Sequence, residues 1–249
     1  MSDSRGTPLD HATTTGRPRG LGVRTLGLLV PGVRRVQEDV EPFAAAWRAN
    51  NTRALDSPGR RWVVLGDSMS QGVGASAWDA GWVSQLAGWL EASGRPLVVV
   101  NLSATGARST DVLERQLPAL EALPRARDTD APDLVTVLAG SNDLFAGGRA
   151  RRRLPDAFGD LVGRLPRGAV VATLPQPRAA ARRANVHVER AGAAGHLEVV
   201  DMRSEGPRSW SGRLAADWFH PNDAGYREIA RAFLPHVLTA LTVGPERSG

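Results

Sequence analysis

Five short runs rich in Val and Leu recur along this chain: Arg61 to Leu65, Pro96 to Leu102, Leu134 to Ala139, Ala169 to Leu174 and Leu197 to Val200. They are continuously apolar rather than alternating, as strands buried on both faces of a sheet are. Between them apolar residues fall at three-to-four spacing, which predicts helices near Asp79 to Ser93, Ser109 to Leu123, Leu154 to Leu165 and Arg178 to Ala193. A last predicted helix, Asp223 to Leu241, closes the pattern. Strands alternating with helices imply a parallel, doubly wound sheet, because right-handed crossovers place helices on both faces. Upstream, Val33, Val36, Val40, Phe43, Ala44 and Trp47 share one face of a predicted helix from Val33 to Asn50. It is expected to pack on the outside of the domain, and Ser57-Pro58-Gly59 turns the chain into the first strand.

Composition divides the chain into three parts. Residues 1–20 are rich in Ser, Thr, Gly, Pro and Arg and are expected to be disordered. Residues 21–56 are expected to form an N-terminal extension carrying the first helix, and residues 57–249 the main domain. The 249 residues suffice for one large α/β domain and its core. The net charge of +5 is carried by arginine alone, since the chain has no lysine. Nucleic-acid binding would need basic residues gathered on one face with aromatic or motif support, so it is not expected. The two clusters, Arg149 to Arg153 and Arg178 to Arg183, read as solvated helix faces. The absence of cysteine excludes disulfides, thiolate catalysis and sulfur-bound zinc. Leu21 to Val30 resembles a signal segment but is interrupted by Arg24 and ended by Pro31. No run reaches transmembrane length, so a cytoplasmic protein without an integral membrane segment is expected.

Ser68 holds the chemistry. It follows the first strand through Gly66-Asp67, where open α/β sheets bind their ligands, and Gly72 and Gly74 follow it. A serine hydroxyl needs a base to take its proton and donors to hold the oxyanion its attack creates. Asp217-Trp218-Phe219-His220 offers His220 as the base and, three residues earlier, Asp217 to orient the ring. Gly106, after the second strand, would let a backbone N–H approach a substrate oxygen. Asn142, in Gly140-Ser141-Asn142-Asp143 after the third, can donate from its side-chain amide. With the Ser68 N–H this makes three candidate oxyanion donors. Taken singly, each piece has a duller reading: Gly-Asp-Ser marks ordinary turns, and His220 or Asn142 could cap a helix.

Taken in order, Gly66-Asp67-Ser68, Gly106, Gly140-Ser141-Asn142-Asp143 and Asp217-Trp218-Phe219-His220-Pro221-Asn222 resemble the four signature blocks of the SGNH (GDSL-like) hydrolases. The first block often ends in Leu or Ile, and Met69 is an apolar substitute of similar size. The resemblance spans roughly Arg61 to Leu241. It implies a flavodoxin-like, three-layer α/β/α sandwich with a five-stranded parallel sheet, and an esterase or lipase acting on a small-molecule ester without metal or cofactor. It also implies Ser68 as nucleophile, His220 as base, Asp217 as its orienter, and Ser68, Gly106 and Asn142 as the oxyanion hole.

Two alternatives share these residues: an acyltransferase using the same acyl-enzyme, and a binding module without activity. An α/β-hydrolase is disfavoured because its nucleophile elbow needs Gly-x-Ser-x-Gly, and Ser70 stands at the fifth position. His11, His187, His196 and His236 are read as surface or packing residues, and Asp67 and Asp143 as ligands of their own loops. Among the tryptophans, Trp210 and Trp218 lie near the His220 loop and are candidate substrate contacts. The segments Phe145 to Arg153 and Ser204 to Ala216 are expected to be loops that set acyl preference.

Overall fold

A computed structural model describes residues 11–17 and 30–242. Its centre is an all-parallel sheet of β1 (Arg61–Gly66), β2 (Val98–Asn101), β3 (Leu134–Leu138), β4 (Val170–Ala172) and β5 (Glu198–Val200), in the order β2-β1-β3-β4-β5. Val63 pairs with Val100 on one side and Val135 on the other. Because successive strand residues point to opposite faces, β1 feeds two cores. Val63 and Leu65 join the core shared with the 109–121 segment and the helices after β3 and β4, whereas Trp62 and Val64 join the other. Continuous apolar strands are thereby satisfied on both faces, and the result is the three-layer, flavodoxin-like α/β/α sandwich.

The helices are α1 (Pro31–Glu38), α2 (Val40–Asp56), α3 (Trp82–Ala92), α4 (Ser109–Asp111), α5 (Leu117–Glu121), α6 (Ser141–Phe145), α7 (Gly148–Arg164), α8 (Ala179–Ala193) and α9 (Asp223–Thr242), with a π-helical stretch, Val112–Gln116, joining α4 to α5. Helices α3 and α9 cover one face, where Trp82 stacks on Phe233 with ring centres 4.4 Å apart. Helices α7 and α8 cover the other. Where one helix was expected from Val33 to Asn50 there are two, α1 and α2, broken at Asp39. Pro42 has no N–H to give the carbonyl of Glu38, so the ladder lapses there.

Helix α2 lies along β2, an edge strand whose free backbone groups need partners. Asn51 supplies them, donating Nδ2 to the Asn101 carbonyl at 2.7 Å and accepting the Asn101 N–H at 2.8 Å. Asn50 adds a bond to Val99 O. Residues 11–17, expected to be disordered, are instead laid beside the strand ends. Thr15 N–H donates to Thr105 O and Thr105 N–H to Thr13 O, both at 3.1 Å. Composition misses this because a polar segment need not bury apolar area if its backbone finds partners on an existing surface. The expectations for residues 1–10, 18–29 and 243–249 lie outside the described residues. The expected loop Phe145 to Arg153 is helical from Gly148 onward. Among the described residues no helix is long and apolar enough to cross a membrane.

Candidate active site

In a parallel sheet of this order the connections diverge between β1 and β3, opening a crevice at the strand ends. Ser68 emerges there from β1. Its Oγ lies 2.9 Å from His220 Nε2, across 152 residues of sequence. His220 Nδ1 lies 2.6 Å from Asp217 Oδ2. The other carboxylate oxygen of Asp217 accepts the backbone N–H groups of Phe219 and His220, each at 3.0 Å, so the carboxylate is fixed by its own turn. Burial alone would raise the Asp217 pKa; the hydrogen bond and charge of His220 and these two N–H groups outweigh it and hold the carboxyl below its ordinary value.

The two loops meet closely because Gly74 permits it. A Cβ there would lie 2.7 Å from His220 Cβ and from Pro221 O, and the residue's φ of +96° is one that other residues rarely adopt. Two further ties fasten the same pair of loops. Tyr226, fully buried on α9, donates its hydroxyl to Val73 O at 2.6 Å. Asp223, at the start of α9, accepts Ser76 N–H at 2.7 Å and Ser76 Oγ–H at 2.6 Å. Asn222, rather than His220, caps α9, accepting the N–H groups of Ala224 and Gly225.

On the other side of Ser68 stand the candidate oxyanion donors. Among the described residues neither the N–H of Ser68 nor that of Gly106 has a hydrogen-bond partner. Asn142 Nδ2 donates to Ala107 O at 2.9 Å and reaches Asp67 Oδ2 only at 3.4 Å, a weak bond that leaves its second hydrogen disposable. Asp67 links these parts, accepting Met69 N–H on one oxygen and Ser141 Oγ–H at 2.9 Å on the other. Its burial pushes the carboxyl up, partly offset by those two donors and the charge of His220. Asp143 bridges the second and third strand ends, accepting Ser109 N–H at 2.8 Å and Ser109 Oγ–H at 2.9 Å. Burial raises its pKa to about 6 in spite of both bonds.

Sequence reasoning missed the shell behind Gly106. Gln71 donates from Nε2 to Thr13 O and Ser103 O and accepts Thr105 Oγ1–H, so one buried amide joins three segments. Arg17 pairs through both terminal nitrogens with Asp111 and donates to Gly106 O. Thr15 Oγ1 would stand 2.8 Å from a Cβ at Gly106, whose φ is +79°. No local signal marks these partners, since the contacts span 32 to 94 residues. Of the remaining histidines, His11 Nε2 lies 2.6 Å from Leu102 O, His196 Nε2 lies 3.1 Å from Leu165 O, and His236 Nε2 lies 2.7 Å from Glu205.

Beside Ser68 and His220 opens a cavity of about 440 Å³. Its wall is mainly apolar: Met69, Leu138, Leu174, Met202, Leu214 and Ile229, with Phe145, Trp210, Trp218 and Phe219 also lining it. The last four are the exposed aromatic residues at this end of the molecule, Trp218 at 65% and Phe145 at 55%. Phe219 stands edge-on to both Phe145 and the His220 ring. Gln176 Oε1, also in the wall, is buried without a partner among the described residues.

Comparison with known proteins agrees with this architecture. The family model described as GDSL-like Lipase/Acylhydrolase family matches residues 64–228. No curated protein sequence matches the chain. Among solved structures, the crystal structure of TesA is similar at 23% identity, covering 73% of this chain and all of that one, with a TM-score of 0.56. The Clostridium thermocellum family 3 carbohydrate esterase is similar at 16% identity over 74% of this chain and 98% of that one, TM-score 0.57. The Geobacillus stearothermophilus acetyl xylan esterase Axe2, in a single-residue variant, is similar at 22% identity over 73% and 95%, TM-score 0.53. At these identities the likenesses speak to fold. With the family model spanning most of the sheet and both halves of the site, the chain belongs to the GDSL-like lipase/acylhydrolase family and is an SGNH-type ester hydrolase.

Proposed function

We propose that the chain hydrolyses carboxylic esters bearing an apolar acyl group through an acyl-enzyme on Ser68. The observation that carries the reading is the continuous line from Ser68 Oγ to His220 Nε2 (2.9 Å) and from His220 Nδ1 to Asp217 (2.6 Å), beside an apolar cavity. With its proton on Nδ1, facing Asp217, His220 presents the Nε2 lone pair to the Ser68 hydroxyl. Ser68 Oγ attacks the ester carbonyl as His220 takes its proton. The resulting oxyanion is held by the N–H groups of Ser68 and Gly106 and by Asn142, which turns its weakly held hydrogen away from Asp67. His220 then gives the proton to the leaving alcohol, the C–O bond breaks, and water, deprotonated by His220, releases the acid and Ser68. Asp217 stabilises the imidazolium formed in each half. The cavity offers room for an acyl chain well beyond acetyl, and its aromatic rim would shield the reacting carbonyl from water.

Ser68→Ala is expected to abolish turnover of p-nitrophenyl acetate and of longer-chain esters while circular dichroism and Tm stay unchanged. In the parent protein an organophosphate such as diethyl p-nitrophenyl phosphate should add one diethylphosphoryl group to Ser68 by mass spectrometry. Full activity in the variant, or labelling elsewhere, would overturn the mechanism.

A further inference from the structure

We propose that the mouth of the cavity is a docking surface for an anionic lipid bilayer or micelle. Four aromatic side chains stand exposed around that mouth, Phe145, Trp210, Trp218 and Phe219. Two of them are fixed in place by their local structure. Trp218 has a φ of +54°, a left-handed conformation that disfavours a bulky residue, yet its side chain remains largely in solvent. Phe145 is propped from behind: Arg151 donates to Leu144 O and Ala146 O, and Arg178 donates to Leu144 O with its guanidinium 5.4 Å from the Phe145 ring centre. Large aromatic rings braced outward suit the water–bilayer boundary, where an apolar body and a polar surround are both satisfied.

Charge names the partner. Helices α7 and α8 follow β3 and β4, so both begin at the strand ends where the cavity opens. Their first two turns carry Arg149, Arg152, Arg153, Arg182 and Arg183, all exposed. Among the described residues none of these five is ion-paired, and Asp156, one turn along α7, pairs with none of them. Guanidinium groups without carboxylate partners, on the two helices that begin at the cavity end of the sheet, are complementary to a layer of phosphodiester head groups above acyl chains. A nucleic acid would match the charge but leave the aromatic mouth and its apolar cavity without a role. This surface also lies beside Ser68, so a docked molecule would present acyl chains to the cavity without first dissolving in water.

Binding does not depend on the chemistry proposed for Ser68, so the test uses Ser68→Ala protein and vesicles of phosphatidylglycerol and phosphatidylcholine in equal parts, with pure phosphatidylcholine as control. Co-flotation with the anionic vesicles is expected, weakening as salt is added. Replacing Arg149, Arg152 and Arg153 together by Gln should lower the partition coefficient roughly 100-fold, about fivefold for each arginine. In the Ser68 background the same triple change should leave p-nitrophenyl acetate turnover and Tm unaltered. Phe145→Ala with Trp218→Ala should also weaken flotation while leaving its salt dependence in place. Absence of flotation at low salt, equal flotation with pure phosphatidylcholine, or binding unmoved by the arginine change would overturn the proposal. So would equally tight binding of a short DNA duplex, or a dimer in sedimentation that dissolves with the aromatic change.

Discussion

Gly74 shows at the scale of one residue how a site can depend on an atom that is missing. The His220 loop rests against its α-carbon, and a methyl group there would overlap both His220 Cβ and the Pro221 carbonyl. Both are attached to backbone that Tyr226, Asp223 and Asn222 hold in place, so the loops would have to part. Gly74→Ala is therefore expected to lower kcat by roughly 10²-fold, the effect of displacing a catalytic group by about 1 Å. Steady-state kinetics on p-nitrophenyl butyrate checks it, and a variant with parental kcat would show that the loops have slack. Trp218 is the converse case, a side chain supplied where the backbone resists one, and its exposure at the cavity mouth is the return on that strain.

Among the elements, the junction between α4 and α6 ties the Gly106 loop to the Asn142 loop, and Asp143 makes it. Its carboxylate is buried on two donors from Ser109, with a pKa raised from 3.8 to about 6. An acid whose folded pKa is raised favours the fold while protonated, so this contribution is complete below about pH 4 and lost as the pH rises through 6. Asn at this position can still accept the Ser109 N–H and can donate to the Ser109 hydroxyl, but it does not titrate. Relative to the parent, Asp143→Asn should thus gain stability between pH 4 and 7, by an amount on the order of 2–3 kcal/mol. Thermal unfolding of both proteins across that range measures it, and parallel Tm curves would contradict the assigned burial. Elements also differ in how plainly the chain announces them. Val and Leu runs such as Val63 to Leu65 betray strands because both faces of a parallel sheet are covered, a demand made on every residue in turn. The helix break at Asp39 was not legible, since Pro42 is tolerated in a first turn and only the lapse of one bond to Glu38 divides α1 from α2.

Across the whole molecule, residues 11–17 form a strap on the side of Ser68 away from the cavity, pressing Thr15 against Gly106 and joining Arg17 to Asp111. Arg17 holds the Gly106 loop as a positioning residue. Burial would raise the Asp111 pKa, and the hydrogen bonds and charge of Arg17 with the Arg108 N–H bring it below its ordinary value. Arg17→Ala should lower kcat by roughly tenfold or more with KM little changed, because it loosens the proposed oxyanion donor Gly106 without touching the proposed acyl cavity. Arg17→Lys, which keeps the charge but not the two-pronged contact, should recover only part of that rate; a change confined to KM would place the strap elsewhere in the reaction. By itself the sequence determined the strand and helix alternation, the position of Ser68 after β1, and the spacing that sets Asp217 three residues before His220, because each depends on neighbours a few residues away or on burial demanded of a whole run. Only the tertiary structure decided that Ser68 meets His220 across 152 residues, that the polar segment at 11–17 buttresses Gly106, and that Phe145 and Trp218 line one cavity. Those juxtapositions come from strand order and close packing, which bring together residues that carry no mark of each other along the chain.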